Sequence, residues 1–301
     1  MEITKLASFT GHSGSIFAMT TNEKEEFLYT SGDDGIVAKW QIEQPELDAV
    51  GLLRSAEPIY ALCWLEKQQQ LVMGLSDGTV HFFEVSQKKI LHSFRKITQA
   101  VYSLLYDARH DYLWILYGGG FLSVWDCGAQ KEVYFHQLSK EHLRSIVIWE
   151  NNLLIGASDG NIYVLHRENF QVLYVWKAHE SSVFSLSVLS EKQILLSGGR
   201  DAHLNVWDLK EIFQNVVKIP AHNFTINDIA ISPDERYFLT ASRDKTLKLW
   251  DSSNFQLIKV IDFARNEGHL HSVNKIKWLS KKKCVISCSD DKRVLMWEIN
   301  I

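Results

Sequence analysis

Short stretches in which apolar and polar side chains alternate with a period near two recur along the whole chain. Turn formers such as Ser76-Asp77-Gly78, Ser158-Asp159-Gly160 and Ser232-Pro233-Asp234 separate them. A period of two sends successive side chains to opposite faces of an extended strand, so the pattern predicts many short strands and invokes no helix. Alternation is imperfect where apolar residues occupy both sides of one strand, as Leu247 and Leu249 do opposite Trp250. Such strands belong to sheets covered on both faces.

The stretches form a repeat. SRDKTLKLWD (242–251) and GRDAHLNVWD (199–208) are versions of one segment, and aligning on its Trp gives Trp40, Phe83, Trp125, Leu165, Trp207, Trp250 and Trp297. Six residues earlier stands a turn residue in every copy: Asp34, Asp77, Gly119, Asp159, Asp201, Asp244 and Asp291. Eighteen residues before that turn an apolar residue opens a strand at Ile16, Ile59, Val101, Val183, Ile226 and Val273. The fourth copy is two residues shorter and opens at Leu143. Seven units of four strands fill the chain as one domain, approximately 11–54, 55–95, 96–138, 139–177, 178–219, 220–262 and 263–301. Residues 2–9 supply an extra strand to the last unit, which is one strand short.

Gly-His or Ala-His pairs (11–12, 178–179, 221–222, 268–269) and Trp-Asp pairs (125–126, 207–208, 250–251) punctuate these units, and in them the chain resembles the WD40-repeat family. The resemblance implies an all-β, seven-bladed β-propeller whose ring is closed by the N-terminal strand, placed beside residues 293–299 in the last blade. It also implies a hydrogen-bonded structural set of four residues per blade. Here the set reads His12, Thr30, Asp34 and Trp40; His179, Ser197, Asp201 and Trp207; His222, Thr240, Asp244 and Trp250; His269, Ser287, Asp291 and Trp297. Units two, three and four lack it, with Met73, Ile115 and Ile155 at the hydroxyl position. A buried imidazole or carboxylate is costly unless paired, so a His and an Asp that recur with a hydroxyl and an indole are read as satisfying one another.

The 301 residues are 46% apolar and 12% aromatic, with ten Trp, which is ample for a large core. A net charge of −4 gives no electrostatic footprint for a nucleic-acid backbone. No leader-like apolar run and no stretch of 18 apolar residues occurs, which points to a cytoplasmic protein that does not enter a membrane. The four cysteines (Cys63, Cys127, Cys284, Cys288) show no Cys-x-x-Cys spacing. Cys284 and Cys288 lie about 13 Å apart along one strand, too far to share a metal ion.

No catalytic signature is found. The one glycine run, Gly118-Gly119-Gly120, sits at a strand-to-strand turn rather than between a strand and a helix. His269 and His271 are two apart, but His269 is committed to its blade and no third ligand is evident. The strand-opening positions supply a single carboxylate, Asp228. The sequence therefore reads as a non-enzyme with no cofactor and no metal. The alternative is a propeller enzyme or small-ligand binder using the central channel.

The favoured function is a scaffold or adaptor that holds a protein or peptide on the rim near that channel. Residues just after the strand-opening position are Phe17, Tyr60, Tyr102, Arg144, Phe184, Asn227 and Asn274; residues just before the turn position include Asp33, Arg200, Arg243 and Asp290. Aromatic and Arg side chains dominate protein interfaces because they bury large areas at low entropic cost. Phe17, Tyr60, Tyr102, Arg144, Phe184, Arg200 and Arg243 are accordingly the candidate binding residues, for an acidic or phosphorylated partner with an apolar anchor near Tyr60 and Tyr102. The competing reading packs the aromatics between blades and leaves the arginines as ordinary solvated residues. Asp228 and Lys275, equivalent in adjacent blades, are a candidate ion pair, and the longer link at 262–268 is either a lip on the rim or a neutral insertion. Trp207-Asp208-Leu209-Lys210 loosely resembles the WDxR box of some ubiquitin-ligase substrate adaptors, with Lys in place of Arg.

Overall fold

The structure, a computed structural model, describes residues 2–211 and 213–300. The chain divides into two compact units, Phe9–Leu143 and Met1–Ser8 with Arg144–Ile301. The chain opens with β1 (Glu2–Thr10). Three four-stranded sheets follow in the first unit: β2 (Ile16–Thr21), β3 (Phe27–Gly32), β4 (Ile36–Gln41) and β5 (Val50–Arg54); β6 (Ile59–Leu65), β7 (Gln70–Leu75), β8 (Thr79–Glu84) and β9 (Lys89–Arg95); β10 (Val101–Asp107), β11 (Tyr112–Tyr117), β12 (Phe121–Asp126) and β13 (Lys131–Gln137). The second unit holds β14 (Leu143–Trp149), β15 (Asn152–Ala157), β16 (Asn161–His166) and β17 (Val172–Lys177), then β18 (Val183–Leu189), β19 (Ile194–Gly199), β20 (His203–Asp208) and β21 (Gln214–Pro220). Next come β22 (Ile226–Ile231), β23 (Tyr237–Ser242), β24 (Leu247–Asp251) and β25 (Leu257–Ile261), and finally β26 (Val273–Leu279), β27 (Cys284–Ser289) and β28 (Arg293–Asn300).

In the last sheet the order is β1-β28-β27-β26, so the N-terminal strand completes the seventh blade. These seven four-stranded blades make the fold class a seven-bladed β-propeller, and each blade opens its first strand at the residue that the repeat spacing assigns.

Apolar side chains emerge from both faces of the blades, and the core lies between sheets. Tyr29 and Val37 of the first blade pack with Ile59, Leu71 and Phe83 of the second. Val72, Val80 and Phe82 pack with Leu113, Ile115 and Trp125 of the third. In the other unit Leu239 and Leu249 meet Val273, Val285 and Trp297, with Ile3 of β1 in the same cluster. Full burial of each such side chain contributes about 1.5–3 kcal/mol, which explains why both faces of a strand are apolar.

Two short segments depart from the all-strand reading. Gly118–Gly120 forms a single 3-10 turn, and Phe263–Asn266, inside the 262–268 insertion, forms one α-turn, named α1. Its start is fixed by Asp262, whose side chain accepts from Arg265 N at 2.9 Å. No disulfide joins the four cysteines, three of which are buried, and burial pushes the Cys127 thiol up to about 12.

Candidate interaction surface

The recurrent polar set is built from four positions that the strands bring together. In the fifth blade His179 Nδ1 lies 2.9 Å from Asp201 Oδ1, His179 Nε2 lies 2.8 Å from Ser197 Oγ, and Trp207 Nε1 donates to that same oxygen at 2.8 Å. The chain of donors allows one arrangement. The carboxylate only accepts, so Nδ1 carries the proton. The hydroxyl already accepts from the indole and spends its own proton on Nε2.

The first, sixth and seventh blades repeat the geometry, with His–Asp contacts of 2.9, 2.8 and 2.9 Å and His–hydroxyl contacts of 2.8, 2.7 and 2.9 Å. Burial alone would raise the Asp201 carboxyl, but the hydrogen bond from His179, with the backbone N–H groups of His203 and Glu180, outweighs it and holds the group at about 2. Asp244 and Asp291 are depressed in the same manner by His222 and His269, Asp34 is depressed by the Ile36 N–H and then His12, and burial holds the His222 imidazole below its ordinary value against the pull of Asp244. With both ring nitrogens engaged, these four imidazoles are internal fasteners.

Blades two, three and four fasten the same turn differently. The residue 18 positions beyond the turn, at the far end of the last strand, reaches back to it: Arg95 Nη1 donates to Asp77 Oδ2 at 3.0 Å, Gln137 Nε2 to the Gly119 carbonyl at 2.8 Å, and Lys177 Nζ to the Asp159 carbonyl. Tyr163 adds an O–H bond to Asp159 Oδ2 at 2.6 Å, and Gly119 N donates to His142 Nδ1 at 3.1 Å. The shared offset of 18 is a sequence signal that the repeat alignment passes over.

The residue after the strand-opening position is special for a backbone reason. In six blades the ladder between first and second strands shifts register at that point, between Ile16 and Ala18, Ile59 and Ala61, Val101 and Ser103, Val183 and Ser185, Ile226 and Asp228, and Val273 and Lys275. Phe17, Tyr60, Tyr102, Phe184, Asn227 and Asn274 are therefore the extra residues of β-bulges, which leave the ladder and re-aim their side chains. The turn of each blade lies beside them. Asp33 N donates to Ser15 O, Ser76 N to Pro58 O and Gly118 N to Ala100 O at 2.8–2.9 Å, and Arg200 N, Arg243 N and Asp290 N donate to Ser182 O, Thr225 O and Ser272 O at 2.8–3.0 Å.

Within the first unit the bulge residues make a row of rings. Phe17 meets Tyr60 edge-on at 5.3 Å, Tyr60 stacks on Tyr102 at 5.9 Å, and Tyr102 contacts His142 at 5.3 Å. All four are half-buried.

In the second unit Arg144 donates from Nε to Ser158 Oγ at 3.0 Å and lies 5.3 Å from the Phe184 ring centre, so its guanidinium is held in place. Asn227 donates to Ser272 Oγ and Val273 O, and Asn274 to Asp290 Oδ1, which ties those positions into the fold. Asp228 sits 3.6 Å from Lys275 and accepts from Ile276 N at 3.0 Å. Burial pushes its carboxyl up, against the pull of Lys275.

Arg200 and Arg243 differ from all of these. Their backbones are fixed by the turn bonds above, their side chains are exposed, and neither is paired with a carboxylate among the described residues. One exposed residue beside them carries no repeat signal and is invisible to periodicity. Phe224, 59% exposed, offers its carbonyl to Ser242 Oγ at 3.2 Å, next to Arg243.

No group of three or more His, Cys, Asp or Glu is placed to hold a metal ion among the described residues. No helix among them is long and apolar enough to cross a membrane.

Seven four-stranded blades, four of them fastened by His, hydroxyl, Asp and Trp, define a repeat propeller. The chain belongs to the WD40-repeat family: the family model described as WD domain, G-beta repeat matches residues 3–41, 170–208, 213–251 and 260–298, together just over half of the chain. Those segments contain the four complete polar sets. Residues 40–109 match a second model, the anaphase-promoting complex subunit 4 WD40 domain.

Among curated proteins the chain is similar to striatin of Rattus norvegicus, 18% identical over 70% of this chain and 30% of that one. It is also similar to THO complex subunit 6 homolog of Danio rerio, 29% identical over 42% of each chain, and to WD repeat-containing protein 81 of Homo sapiens, 24% identical over 70% of this chain and 11% of that one. The matched region spans less than half the length of each of these relatives.

Proposed function

We propose that this protein is a non-enzymatic adaptor that binds an acidic or phosphorylated segment of a partner protein on the turn side of its fifth and sixth blades. The observation that carries this reading is the pair Arg200 and Arg243, two exposed guanidiniums at equivalent turns of adjacent blades, with fixed backbones and no carboxylate paired to either among the described residues. Guanidinium forks engage carboxylate and phosphate oxygens bidentately, so two forks on a rigid scaffold suit a segment with two negative groups. Arg144, braced by Ser158 and Phe184, supplies a third cation in the same unit. The half-buried ring row of Phe17, Tyr60 and Tyr102 serves in its own unit as an apolar contact.

The similar proteins support a role in assemblies, since one is a THO complex subunit homolog and one matching family model is that of an anaphase-promoting complex subunit. Four cysteines that form no disulfide agree with a reducing, cytoplasmic setting. The test is affinity purification with wild type against the Arg200→Glu/Arg243→Glu variant, read by mass spectrometry. Partners should be lost from the variant while its thermal melting stays unchanged, and retention of every partner would remove the proposal.

A further inference from the structure

The insertion at 262–268 is an ordered feature. Asp262 caps α1, Glu267 adopts a left-handed conformation and donates its N–H to Phe263 O at 3.0 Å, and its carboxylate pairs with Lys5 of β1. Gly268 closes the turn by donating to Asp262 O at 3.1 Å, and a Cβ there would lie 2.9 Å from the Asp262 backbone, so only glycine permits the approach. What this bracing holds out is a large apolar side chain: Phe263 is 52% exposed. A turn built around its own capping bonds gains nothing for the fold by presenting a phenyl ring to water.

Phe263 has company. Phe224 and Leu270, 59% and 44% exposed, lie in the connections entering β22 and β26. Those connections carry the carbonyls of Thr225 and Ser272, to which the Arg243 and Asp290 turns are bonded. Phe224 thus stands on the connection that the Arg243 turn touches, and Phe263 and Leu270 on the next connection, which the Asp290 turn touches and Asn227 ties to β22 through Ser272.

Charge there is one-sided. The turn carboxylates Asp201, Asp244 and Asp291 are consumed by histidines and Asp290 accepts from Asn274, whereas Arg200, Arg243, Lys245 and Lys292 are exposed and paired with no carboxylate among the described residues. Exposed apolar groups bordered by uncommitted cations fit a partner surface that alternates apolar and acidic groups.

We infer that Phe224, Phe263 and Leu270 form the apolar half of a docking surface whose occupant is an amphipathic acidic segment of another protein, with bulky apolar residues seated on these side chains and carboxylates or phosphates on Arg200 and Arg243. This rests on the arginine reading above and specifies the partner. The insertion is then the part of the seventh blade that sets specificity.

The test begins with selection of random 12-residue peptides displayed on phage against the full chain. A selected peptide, fluorescein-labelled, is then measured by anisotropy. Selected sequences should combine Asp or Glu with Leu, Met, Phe or Trp, and a second synthesis with phosphoserine at the acidic positions separates phosphate from carboxylate preference. Phe224→Ala/Phe263→Ala should weaken binding about 10- to 100-fold, the range of interface anchors, with unchanged melting; Phe263→Ser alone provides the same readout if the double variant folds poorly. Loss of binding on arginine reversal with affinity retained in the phenylalanine variants would overturn this inference and leave the arginine reading intact. Insensitivity to arginine reversal, peptides without acidic residues, or no selected peptide at all would overturn both.

Discussion

Trp207 and Ser197 are joined by an indole N–H donating to a hydroxyl across 2.8 Å, and the oxygen that accepts it is the same one that faces His179 Nε2. One atom therefore satisfies two buried groups. Ser197→Ala strands both, and each unsatisfied buried group costs about 1–3 kcal/mol, so a loss of about 2–6 kcal/mol is expected in urea unfolding. Met73→Ala in blade two, where no such oxygen exists, removes only apolar volume. A Ser197→Ala variant within about 0.5 kcal/mol of wild type would show that the polar sets do not fasten the blades.

The same sets make stability depend on pH in one direction. Asp201, at about 2 against an ordinary 3.8, and Asp34, Asp244 and Asp291, also depressed, stabilise the fold fully above the ordinary carboxylate range. That contribution is lost as pH falls from about 4 through about 2, because the unfolded chain takes up protons first. His222 acts with the same sign: held below 6.5 in the fold, it is protonated more readily when unfolded, so stability declines as pH drops below 6.5. Asp228, whose carboxyl burial raises, acts with the opposite sign, so the comparison is made in Asp228→Asn: its thermal melting from pH 7 to pH 3 should fall monotonically, and adding Asp201→Asn should flatten the acid limb. A rise in melting temperature on acidification from 6.5 to 4 would contradict this assignment.

Much of the architecture is legible in the residues because blades repeat. A position that recurs every 40 to 47 residues, such as Ile16 or Asp201, is read seven times over, and the strand openings and polar sets follow from counting. Features unique to one blade have no such redundancy. Tyr163 reaching Asp159, the single turn at Phe263–Asn266 and the exposure of Phe224 depend on contacts between residues that the alignment treats as unrelated. The bulges fall between these cases. They recur in register, yet a period-two pattern does not announce that Phe17 or Tyr60 leaves the ladder, since one extra residue leaves the flanking apolar positions intact.

Removal of residues 2–9 takes away β1 and opens an edge on β28. Ile3 is 7% and Phe9 1% exposed, so burial worth about 1.5–3 kcal/mol each disappears together with the ladder bonds. The truncated chain should unfold at clearly lower urea concentration and aggregate through the uncovered strand. Ile3→Asp in the full chain isolates the packing part, and a truncated chain with unchanged melting would deny β1 its role in the seventh blade.

Asp228 and Lys275 link the sixth and seventh blades through one carboxylate that also accepts from the Ile276 backbone N–H. The two bonds are not equivalent. The ion pair spans 3.6 Å with a partly exposed lysine, a geometry worth about 0–1 kcal/mol, whereas the backbone donor lies 3.0 Å away on a half-buried strand. Asp228→Ala leaves that donor without its acceptor, at a cost of about 1–3 kcal/mol. Asp228→Asn keeps an amide oxygen in place and should cost less than about 1 kcal/mol. Burial already favours the uncharged form of Asp228, so the neutral amide also removes a desolvation penalty. Denaturation of both variants beside Lys275→Met decides the point: if Lys275→Met proves as damaging as Asp228→Ala, the charge pair and not the backbone bond joins these blades.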